Sequence, residues 1–324
     1  MPQKLWEANS QIKSKSNLFE FEKYLAKKFN YIPKRNYKKL YNWTIKNPKL
    51  FWTSVWEFSN VKGIKNNKFY FPKEIIKSKF LLKSKLNYAE NLLSKNDNSK
   101  AVTFISENGY REEKSWKELN KNTLKLINFF KENKIKNKDR IAAYTVNQIE
   151  TVESFIATSA IGAIWSSCSP DFGTQGVIER FSQIKPKLLI ITDRYYYNGK
   201  EINVLERLPV ILKKIKSIKS VLITNYPGKK YLKQKKIKGI KIFYFKKLKY
   251  KAKRKITFKR FDFDKELAIL YSSGTTGKPK CICHRAGGVL LQHLKEHKLH
   301  CDVKEGDNVF YFTTCGWMMW NWLM

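Results

Sequence analysis

The chain has 324 residues, of which 65 are Lys or Arg and 27 are Asp or Glu, so its formal charge is +38. Hydrophobic residues make up 42% of the chain and aromatic residues 15%, enough apolar surface to exclude a disordered polycation. Five cysteines exclude a disulfide scaffold and fit a reducing cytosol, and no apolar run reaches the roughly 20 residues that a membrane span needs.

The positive charge comes almost entirely from lysine. Nine of the 65 basic residues are Arg and 56 are Lys, and the lysines are spread over the whole chain together with abundant Asn, Ile, Phe and Tyr. Arg is the preferred reader of base edges in nucleic acids, whereas this composition follows from A/T-rich codons. We therefore interpret the charge as coding bias on a solvated surface and predict no nucleic-acid partner, with a basic RNA-binding protein as the alternative.

The first 95 residues are rich in Trp and Tyr and show helical spacing. Apolar residues recur at intervals of three and four in Leu18–Leu25, a pattern typical of an amphipathic helix. The polar run Ser94–Ser99 marks the predicted boundary. These features predict a helical N-terminal cap over residues 1–95, followed by a second region over residues 96–324.

Strand-like and helical segments alternate after this boundary. Ser115 and Glu118 form a capping box that opens a helix, and Ile149–Ala160 has the spacing of another helix. Short apolar runs predict strands at Ala101–Ile105, Ile141–Thr145, Leu188–Thr192, Val221–Thr224, Ile240–Phe245, Leu267–Tyr271 and Val309–Thr313. The alternation predicts an α/β fold with a mostly parallel sheet flanked by helices, in which ligands bind beyond the carboxyl ends of the strands.

The clearest chemical signal comes directly after the apolar run Leu267–Tyr271. There the chain continues with small, hydroxyl-bearing and glycine residues and then with lysines: Ser272, Ser273, Gly274, Thr275, Thr276, Gly277, Lys278 and Lys280. Glycines let the backbone approach closely, N–H groups and hydroxyls donate to phosphate oxygens, and lysines add positive charge. The segment lacks the Walker pattern, but it predicts a loop that binds a polyphosphate.

The run YSSGTTGKPK resembles the phosphate loop of the adenylate-forming superfamily, which includes the acyl-CoA synthetases. The resemblance implies that this loop holds the triphosphate of ATP. It also implies a reaction in two steps. An acid attacks the α-phosphate to give an acyl-adenylate and pyrophosphate, and the thiol of coenzyme A then displaces AMP. The implied fold is the N-terminal domain of an adenylate-forming enzyme, in incomplete form.

Segments elsewhere in the chain narrow this resemblance. They are Leu86–Leu93, Trp165–Gly173, Tyr197–Lys200, Lys280–Gly288 and Leu291–His297. Together they resemble the acetoacetate–CoA ligase family from about residue 5 to the end, most weakly at residues 225–260. The resemblance implies a cytoplasmic ligase with acetoacetate, ATP and coenzyme A as substrates and Mg²⁺ as cofactor. A ligase for another short acid, such as acetate or propionate, stays open.

The resemblance also assigns roles to residues outside the phosphate loop. Tyr197 and Lys200 stand where related synthetases contact the nucleotide of coenzyme A, and Ser167 lies near the same surface. Trp317 would form a wall of the acyl pocket, with Met318 and Met319 at its border. An ordinary role in the protein core stays open for this cluster of Trp and Met side chains.

Cysteine and histidine residues between positions 281 and 301 could suggest a metal site. His293, His297 and His300 fall at helical spacing, as zinc ligands on a helix can. However, the Cys281-x-Cys283 spacing is unusual for a zinc knuckle, so we favour helix packing and predict no metal ligands here. The sequence also supports no Ser-His-Asp triad.

The length of the chain shapes the functional expectation. Members of the family that the sequence resembles are about twice as long, and the resemblance places the adenine and ribose contacts and the catalytic lysine beyond Met324. It therefore predicts no catalytic residue within these 324 residues. The polypeptide on its own is expected to bind its substrates weakly and to catalyse nothing.

Overall fold

The computed structural model of the protein describes residues 5–33, 36–249, 256–272 and 277–324. The chain divides into two compact units. The first comprises Met1–Lys85 and Gly287–Phe310, and the second comprises Leu86–Ala286 and Tyr311–Met324. This division differs from a single boundary near residue 95, because a later segment of the chain returns to the first unit. Spacing along the sequence carries no sign of such a return.

The helices and strands of the described residues alternate along most of the chain. The helices are α1 (Ser10–Lys15), α2 (Asn17–Phe29), α3 (Tyr37–Lys46), α4 (Pro48–Phe58), α5 (Tyr88–Leu92), α6 (Trp116–Glu132), α7 (Ile149–Ala160), α8 (Gly173–Ile184), α9 (Leu208–Lys214), α10 (Ala286–Lys295) and α11 (Met318–Leu323). Short 3₁₀ segments lie at Ile75–Lys77, Pro170–Phe172, Leu205–Arg207 and Phe245–Lys247, and a π-helical turn lies at Glu296–His300.

The strands range from two to seven residues in length. They are β1 (Gly63–Ile64), β2 (Lys68–Tyr70), β3 (Lys79–Leu82), β4 (Lys85–Leu86), β5 (Lys100–Ile105), β6 (Arg111–Ser115), β7 (Arg140–Tyr144), β8 (Ile164–Cys168), β9 (Leu188–Thr192), β10 (Arg194–Tyr197), β11 (Lys200–Asn203), β12 (Ser220–Thr224), β13 (Lys241–Tyr244), β14 (Phe261–Asp262), β15 (Glu266–Ser272) and β16 (Lys280–Arg285).

The first unit is held together by aromatic packing on α2 and α4. Phe21 of α2 is fully buried, and its ring centroid lies 5.2 Å from that of Phe58. The α2 N-terminus is tied to the later segment of the same unit, because Asn17 donates its backbone N–H to Asp302 Oδ1 at 2.6 Å and its side-chain amide to the Val303 carbonyl at 3.0 Å. The amphipathic helix predicted at Leu18–Leu25 is confirmed within α2.

The second unit is built on a mostly parallel sheet with the strand order β13-β12-β9-β7-β8-β15-β16 within the described residues. All its neighbouring pairs are parallel except β15 and β16. Strands β7, β8, β9 and β12 are buried nearly along their whole length, as expected for parallel strands covered on both faces. The predicted α/β class with a mostly parallel sheet is confirmed.

Helices cover both faces of this sheet. Val177 and Phe181 of α8 and Leu208 of α9 pack in one buried cluster with alternate residues of β7, β9 and β12. On the opposite face, Phe155 of α7 packs against Trp165 of β8 at a ring-centroid distance of 5.9 Å. Both capping hydrogen bonds of the predicted Ser115 box are present at the start of α6. The layered arrangement leaves the strand ends as the place where loops meet.

One predicted strand does not form. Residues Val309–Thr313 have the alternating apolar character of a strand, but no strand pairs with them in the part of the chain that the structure describes. Phe310 is 83% exposed and Phe312 is 91% exposed. A strand depends on a hydrogen-bonding neighbour, so an apolar pattern alone was not sufficient to predict one. The other six predicted strands are confirmed to within one residue or so.

A buried charged cluster lies between α6, α7 and β6. Glu153 is fully buried, and its Oε1 accepts from Asn122 Nδ2 at 2.7 Å and from Lys114 Nζ at 3.3 Å. Burial raises the pKa of Glu153 to about 7, although the positive charge of Lys114 opposes this shift. Burial likewise raises the pKa of its neighbour Glu150. The native state therefore favours a protonated carboxyl group here.

Phe155 is expected to be a main support of the second unit. Its ring is fully buried and lies 5.8 Å from Tyr88 and 5.6 Å from Trp320. Phe155→Ala should lower the free energy of unfolding by about 3–5 kcal/mol, because it removes an aromatic ring and leaves a cavity. The matched control is Phe312→Ala, at a side chain 91% exposed, which should change it by less than about 0.5 kcal/mol. Urea denaturation of both variants measures the difference, and equal effects would contradict this account.

Glu153 should make stability depend on pH. The native carboxyl group holds a proton that the unfolded chain releases near pH 4.5, so stability should fall as pH rises from 4.5 to about 7, by up to about 3 kcal/mol. Glu153→Gln should remove this part of the slope, whereas Glu206→Gln, at an exposed site, should leave it intact. Urea denaturation at several pH values tests this, and a slope unchanged in Glu153→Gln would refute it.

Candidate active site

The carboxyl ends of β7, β8 and β15 meet at one edge of the sheet. Parallel register pairs Ile141 with Trp165 and Trp165 with Ala268, so the three strands run side by side in the same direction. Their last residues are Tyr144, Cys168 and Ser272. Loops that follow parallel strands gather at this edge, which is the usual ligand-binding edge of such sheets.

Strands β15 and β16 form the hairpin that carries the predicted phosphate loop, referred to below as the loop-bearing hairpin. The two strands are antiparallel, and Ser272 pairs with Lys280 at the base of the loop. The predicted loop therefore connects two residues that pair directly with each other in the sheet. Ser273, Gly274, Thr275 and Thr276, four residues assigned to phosphate binding, lie outside the described residues.

The described members of the loop present their polar groups at its base. Ser272 is half-buried, whereas Lys278 and Lys280 are exposed. Gly277 has a φ of 134°, a backbone conformation that side-chain-bearing residues rarely adopt. The two lysines thus offer positive charge to a ligand beside the turn, although their contact with a phosphate stays a prediction.

Tyr271 connects the loop-bearing hairpin to β8. The Ser166 hydroxyl donates to the Ile269 carbonyl at 2.9 Å and lies 3.0 Å from the Tyr271 hydroxyl. Burial raises the pKa of Tyr271, so its phenol is neutral. This hydrogen-bonded contact fixes the strand one residue before the loop begins.

A second element reaches the same edge of the sheet from the end of the chain. The Trp317 N–H donates to the Thr314 carbonyl at 3.1 Å, which closes a turn that we call the 314–317 turn. Cys315 within it is fully buried, and its Sγ donates to the Thr145 carbonyl at 2.8 Å. The Ser167 hydroxyl donates to the Cys315 carbonyl. The 314–317 turn is therefore seated on the ends of β7 and β8.

The predicted acyl-pocket residues lie on this turn and at the start of α11. Trp317 is 64% exposed and Met318 is 53% exposed, whereas Met319 is half-buried. Two exposed apolar side chains next to a buried turn make a surface that an organic ligand could cover. Their role in an acyl pocket stays a prediction.

Trp320 is a residue of this region that sequence reasoning missed. It is fully buried, its ring stacks on Trp165 with centroids 6.3 Å apart, and its Nε1 donates to Asn147 Oδ1 at 2.9 Å. Trp320 thereby fixes α11 to the loop after β7. Its position three residues after Trp317, on the inward side of a short helix, was the available signal.

The residues predicted to contact coenzyme A fall in two places. Tyr197 and Lys200 pair with each other at the tip of the β10–β11 hairpin. Asn198 and Gly199 between them have φ values of 49° and 74°, as a two-residue type I′ turn requires. Tyr197 is 64% exposed and Lys200 is exposed, so this tip is accessible to a ligand.

Ser167 has a different environment from the one expected. It is 4% exposed, and its Oγ accepts from Trp165 Nε1 at 3.0 Å while its hydroxyl donates to Cys315. Both bonds are internal to the sheet edge and the 314–317 turn. Ser167 therefore supports the turn, and the contact with coenzyme A that was predicted for it remains untested.

The cysteine and histidine residues near β16 do not gather into a metal site in the described ranges. No group of three or more His, Cys, Asp or Glu residues there could hold a metal ion. Cys281 and Cys283 are exposed residues of β16, but their sulfur atoms are partly buried, which raises the pKa of each thiol. None of the helices in the described part of the chain is both long and apolar enough to cross a membrane.

Comparison with known proteins places this geometry in a family. Residues 91–324 match the AMP-binding enzyme family, and the chain belongs to that family. It is 39% identical to the acetoacetyl-coenzyme A synthetase of Rhizobium meliloti over 98% of this chain and 49% of that protein. It is 37% identical to the acetoacetyl-CoA synthetase of Gallus gallus over 89% of this chain and 44% of that protein.

A solved structure is similar over nearly the whole chain. The acetoacetyl-CoA synthetase from Streptomyces lividans superposes with a TM-score of 0.89 at 29% identity, covering 99% of this chain and 49% of that one. The chain thus spans about half the length of the relatives that it matches. The likeness supports the fold described above, including the mostly parallel sheet that carries the candidate site.

Gly316 should be required for the close packing of the 314–317 turn against Phe172 and Ser169. A Cβ at this position would lie 2.8 Å from Phe172 Cε2 and 3.2 Å from the Ser169 nitrogen. Gly316→Ala should therefore lower the free energy of unfolding by about 1–3 kcal/mol. Gly288→Ala is the control, because a Cβ there meets nothing within 4 Å and α10 should gain helix propensity. Urea denaturation followed by tryptophan fluorescence distinguishes them, and an unaffected Gly316→Ala variant would contradict the packing argument.

Proposed function

We propose that this chain supplies the phosphate- and acid-binding part of an ATP-dependent, AMP-forming acetoacetate–CoA ligase. The observation that carries the proposal is the convergence of the loop-bearing hairpin and the 314–317 turn on one edge of the sheet. A triphosphate at the first element and a short acid at the second would lie side by side. The names of the relatives, which are acetoacetyl-CoA synthetases, support acetoacetate as the acid.

The first step proposed is activation of the acid. The carboxylate of acetoacetate attacks the α-phosphorus of ATP, the bond to the β-phosphate oxygen breaks, and acetoacetyl-adenylate and pyrophosphate form. Lys278 and Lys280 would stabilise the negative charge that moves onto the leaving pyrophosphate. Trp317, Met318 and Met319 would hold the acyl chain and exclude water from the mixed anhydride.

The second step proposed is transfer to a thiol. The sulfur of coenzyme A attacks the acyl carbon, a thioester forms, and AMP leaves. The exposed tip of the β10–β11 hairpin would hold the nucleotide end of coenzyme A, with the Lys200 ammonium near a phosphate and the Tyr197 ring beside the base. Both side chains are accessible without any rearrangement of the hairpin.

Mg²⁺ has no assigned ligand among the residues that the structure describes. Those residues contain no cluster of carboxylate, histidine or thiolate groups that fits a metal ion. When bound to ATP, Mg²⁺ would supply charge neutralisation to the phosphates. All five cysteines are free, which fits a cytoplasmic location for the proposed enzyme.

The test is acid-dependent exchange of labelled pyrophosphate into ATP by the protein expressed from its complete open reading frame. Exchange with acetoacetate, and much slower exchange with acetate and propionate, is the expected result. Preference for acetate or propionate would replace the proposed substrate within the same reaction. Salt-sensitive RNA binding without any exchange would instead support a basic binding protein, a hypothesis that leaves the loop-bearing hairpin unexplained.

Two lysine variants separate the half-reactions. Lys280→Ala should slow pyrophosphate exchange at least about tenfold, because it removes a charge placed beside the developing negative charge. Lys200→Ala should leave exchange unchanged and raise the KM for coenzyme A in thioester formation. Lys241→Ala, at the exposed start of β13, is the matched control and should affect neither. Equal exchange rates in all three variants would refute the role of Lys280.

A further inference from the structure

Helix α8 braces the strand of the loop-bearing hairpin that follows the loop. Gln183 Nε2 donates to the Pro279 carbonyl at 2.9 Å, at the end of the predicted loop, and Cys281 Sγ donates to Gln183 Oε1 at 3.6 Å. Arg180 lies three residues earlier on the same helix, a spacing that places both side chains on one face. The face of α8 that carries these two residues is therefore turned toward the hairpin.

Arg180 lies beside two aromatic rings, of which Tyr271 belongs to β15, the other strand of the hairpin, and Phe172 to the segment before α8. Its guanidinium carbon lies 4.2 Å from the ring centroid of Phe172 and 5.8 Å from that of Tyr271. One nitrogen of the group, Nη1, donates to the Gly176 carbonyl at 2.9 Å, which holds the side chain along its own helix. A cation placed beside two rings in this way attracts both.

Phe172 extends this contact to the 314–317 turn. The position that a Cβ on Gly316 would occupy lies only 2.8 Å from Phe172 Cε2, so the turn rests directly on this ring. The contacts thus run without a gap from Gly316 through Phe172 and Arg180 to Tyr271. Tyr271 is the last residue before Ser272, where the phosphate loop begins.

We propose that Arg180 is a positioning residue that couples the 314–317 turn to the loop-bearing hairpin, so that the acid and the triphosphate are held in register for reaction. The inference rests on the proposed function for its two ligands. Arg180 itself is assigned no contact with either substrate. It acts by contacting two rings at once: Tyr271, which belongs to the loop-bearing hairpin, and Phe172, on which the 314–317 turn rests.

The amino-acid composition supports a specific requirement for arginine. Only nine of the 65 basic residues are Arg, in a chain whose composition favours Lys. A guanidinium is planar and stacks on aromatic faces while donating a hydrogen bond in its plane, which an ammonium cannot do. Lysine could therefore not replace Arg180 beside these two rings. The presence of an Arg in a chain rich in Lys was the sequence signal for this role, and sequence reasoning overlooked it.

The first test reads the coupling without any reaction. The chain is labelled with 5-fluorotryptophan, the Trp317 resonance is assigned with Trp317→Phe, and magnesium tripolyphosphate is added while ¹⁹F spectra are recorded. In the wild type, tripolyphosphate at the hairpin should shift the Trp317 resonance. In Arg180→Lys the shift at saturation should fall at least about twofold, and Phe172→Leu should reproduce the loss.

The matched control is Arg260→Lys, because Arg260 forms a two-point ion pair with Glu90 and touches neither ring. It should retain the wild-type shift. A full shift in Arg180→Lys, or the absence of any shift in the wild type, would overturn the inference. A purely structural role would lower the melting temperature of Arg180→Lys and leave the saturated shift intact, which would also overturn it.

The second test uses pyrophosphate exchange. Arg180→Lys should raise the KM for ATP and the KM for acetoacetate together, each by roughly 2- to 30-fold, the range by which residues between two sites change coupling. Phe172→Leu combined with Arg180→Lys should add little, because both interrupt one set of contacts. Unchanged KM values in an active enzyme would contradict the inference about Arg180 and leave the proposed function standing. Exchange with a different acid would sink only the proposed substrate, since the ¹⁹F experiment contains no acid.

Discussion

Parallel backbone pairing of β7, β8 and β15 is the constraint on which the candidate site depends. Neighbouring strands lie about 4.8 Å apart, so three parallel strands in register deliver three successive loops to one edge within a short distance. The pairing of Trp165 with both Ile141 and Ala268 sets that register. Helices on both faces bury these strands, and the buried faces make a shift of register costly. The buried core around these strands therefore determines how accurately the loops are placed at the edge of the sheet.

Polar contacts at the strand ends convert this edge into a site. The Thr145 carbonyl accepts from the Cys315 thiol, and the Ser167 hydroxyl donates to the Cys315 carbonyl. The Ser166 hydroxyl donates to the Ile269 carbonyl and lies beside the Tyr271 hydroxyl. An apolar side chain at Ser166 or Ser167 would leave the carbonyl groups that these hydroxyls reach without their donors. The same strand, β8, thus holds the loop-bearing hairpin on one side and the 314–317 turn on the other. Two consecutive residues of one strand, whose side chains point to opposite faces of the sheet, thus support the two elements of the candidate site.

The large positive charge contributes to the candidate site through only a few residues. Most lysines are spread over the surface, where single charges are screened and have little effect on stability. Lys278, Lys280 and Lys200 differ because backbone geometry places them at the base of a loop or the tip of a hairpin. Arg180 differs again, since its guanidinium lies beside the rings of Phe172 and Tyr271. Position, and not total charge, decides which cations can take part in chemistry.

The sequence by itself determined the local elements: six of seven predicted strands, the Ser115 capping box and the α2 helix, because periodicity and capping act over a few residues. The phosphate-binding role of the YSSGTTGKPK motif stays a prediction. It could not reveal what depends on distant partners. Val309–Thr313 has a strand pattern without a paired strand, Ser167 is buried where a surface contact was expected, and residues 287–310 return to the first unit. The contacts of Trp320 and Arg180 likewise join segments far apart in the chain. Only the tertiary structure decided these features, because hydrogen-bond partners and ring contacts between distant segments arise when the chain packs.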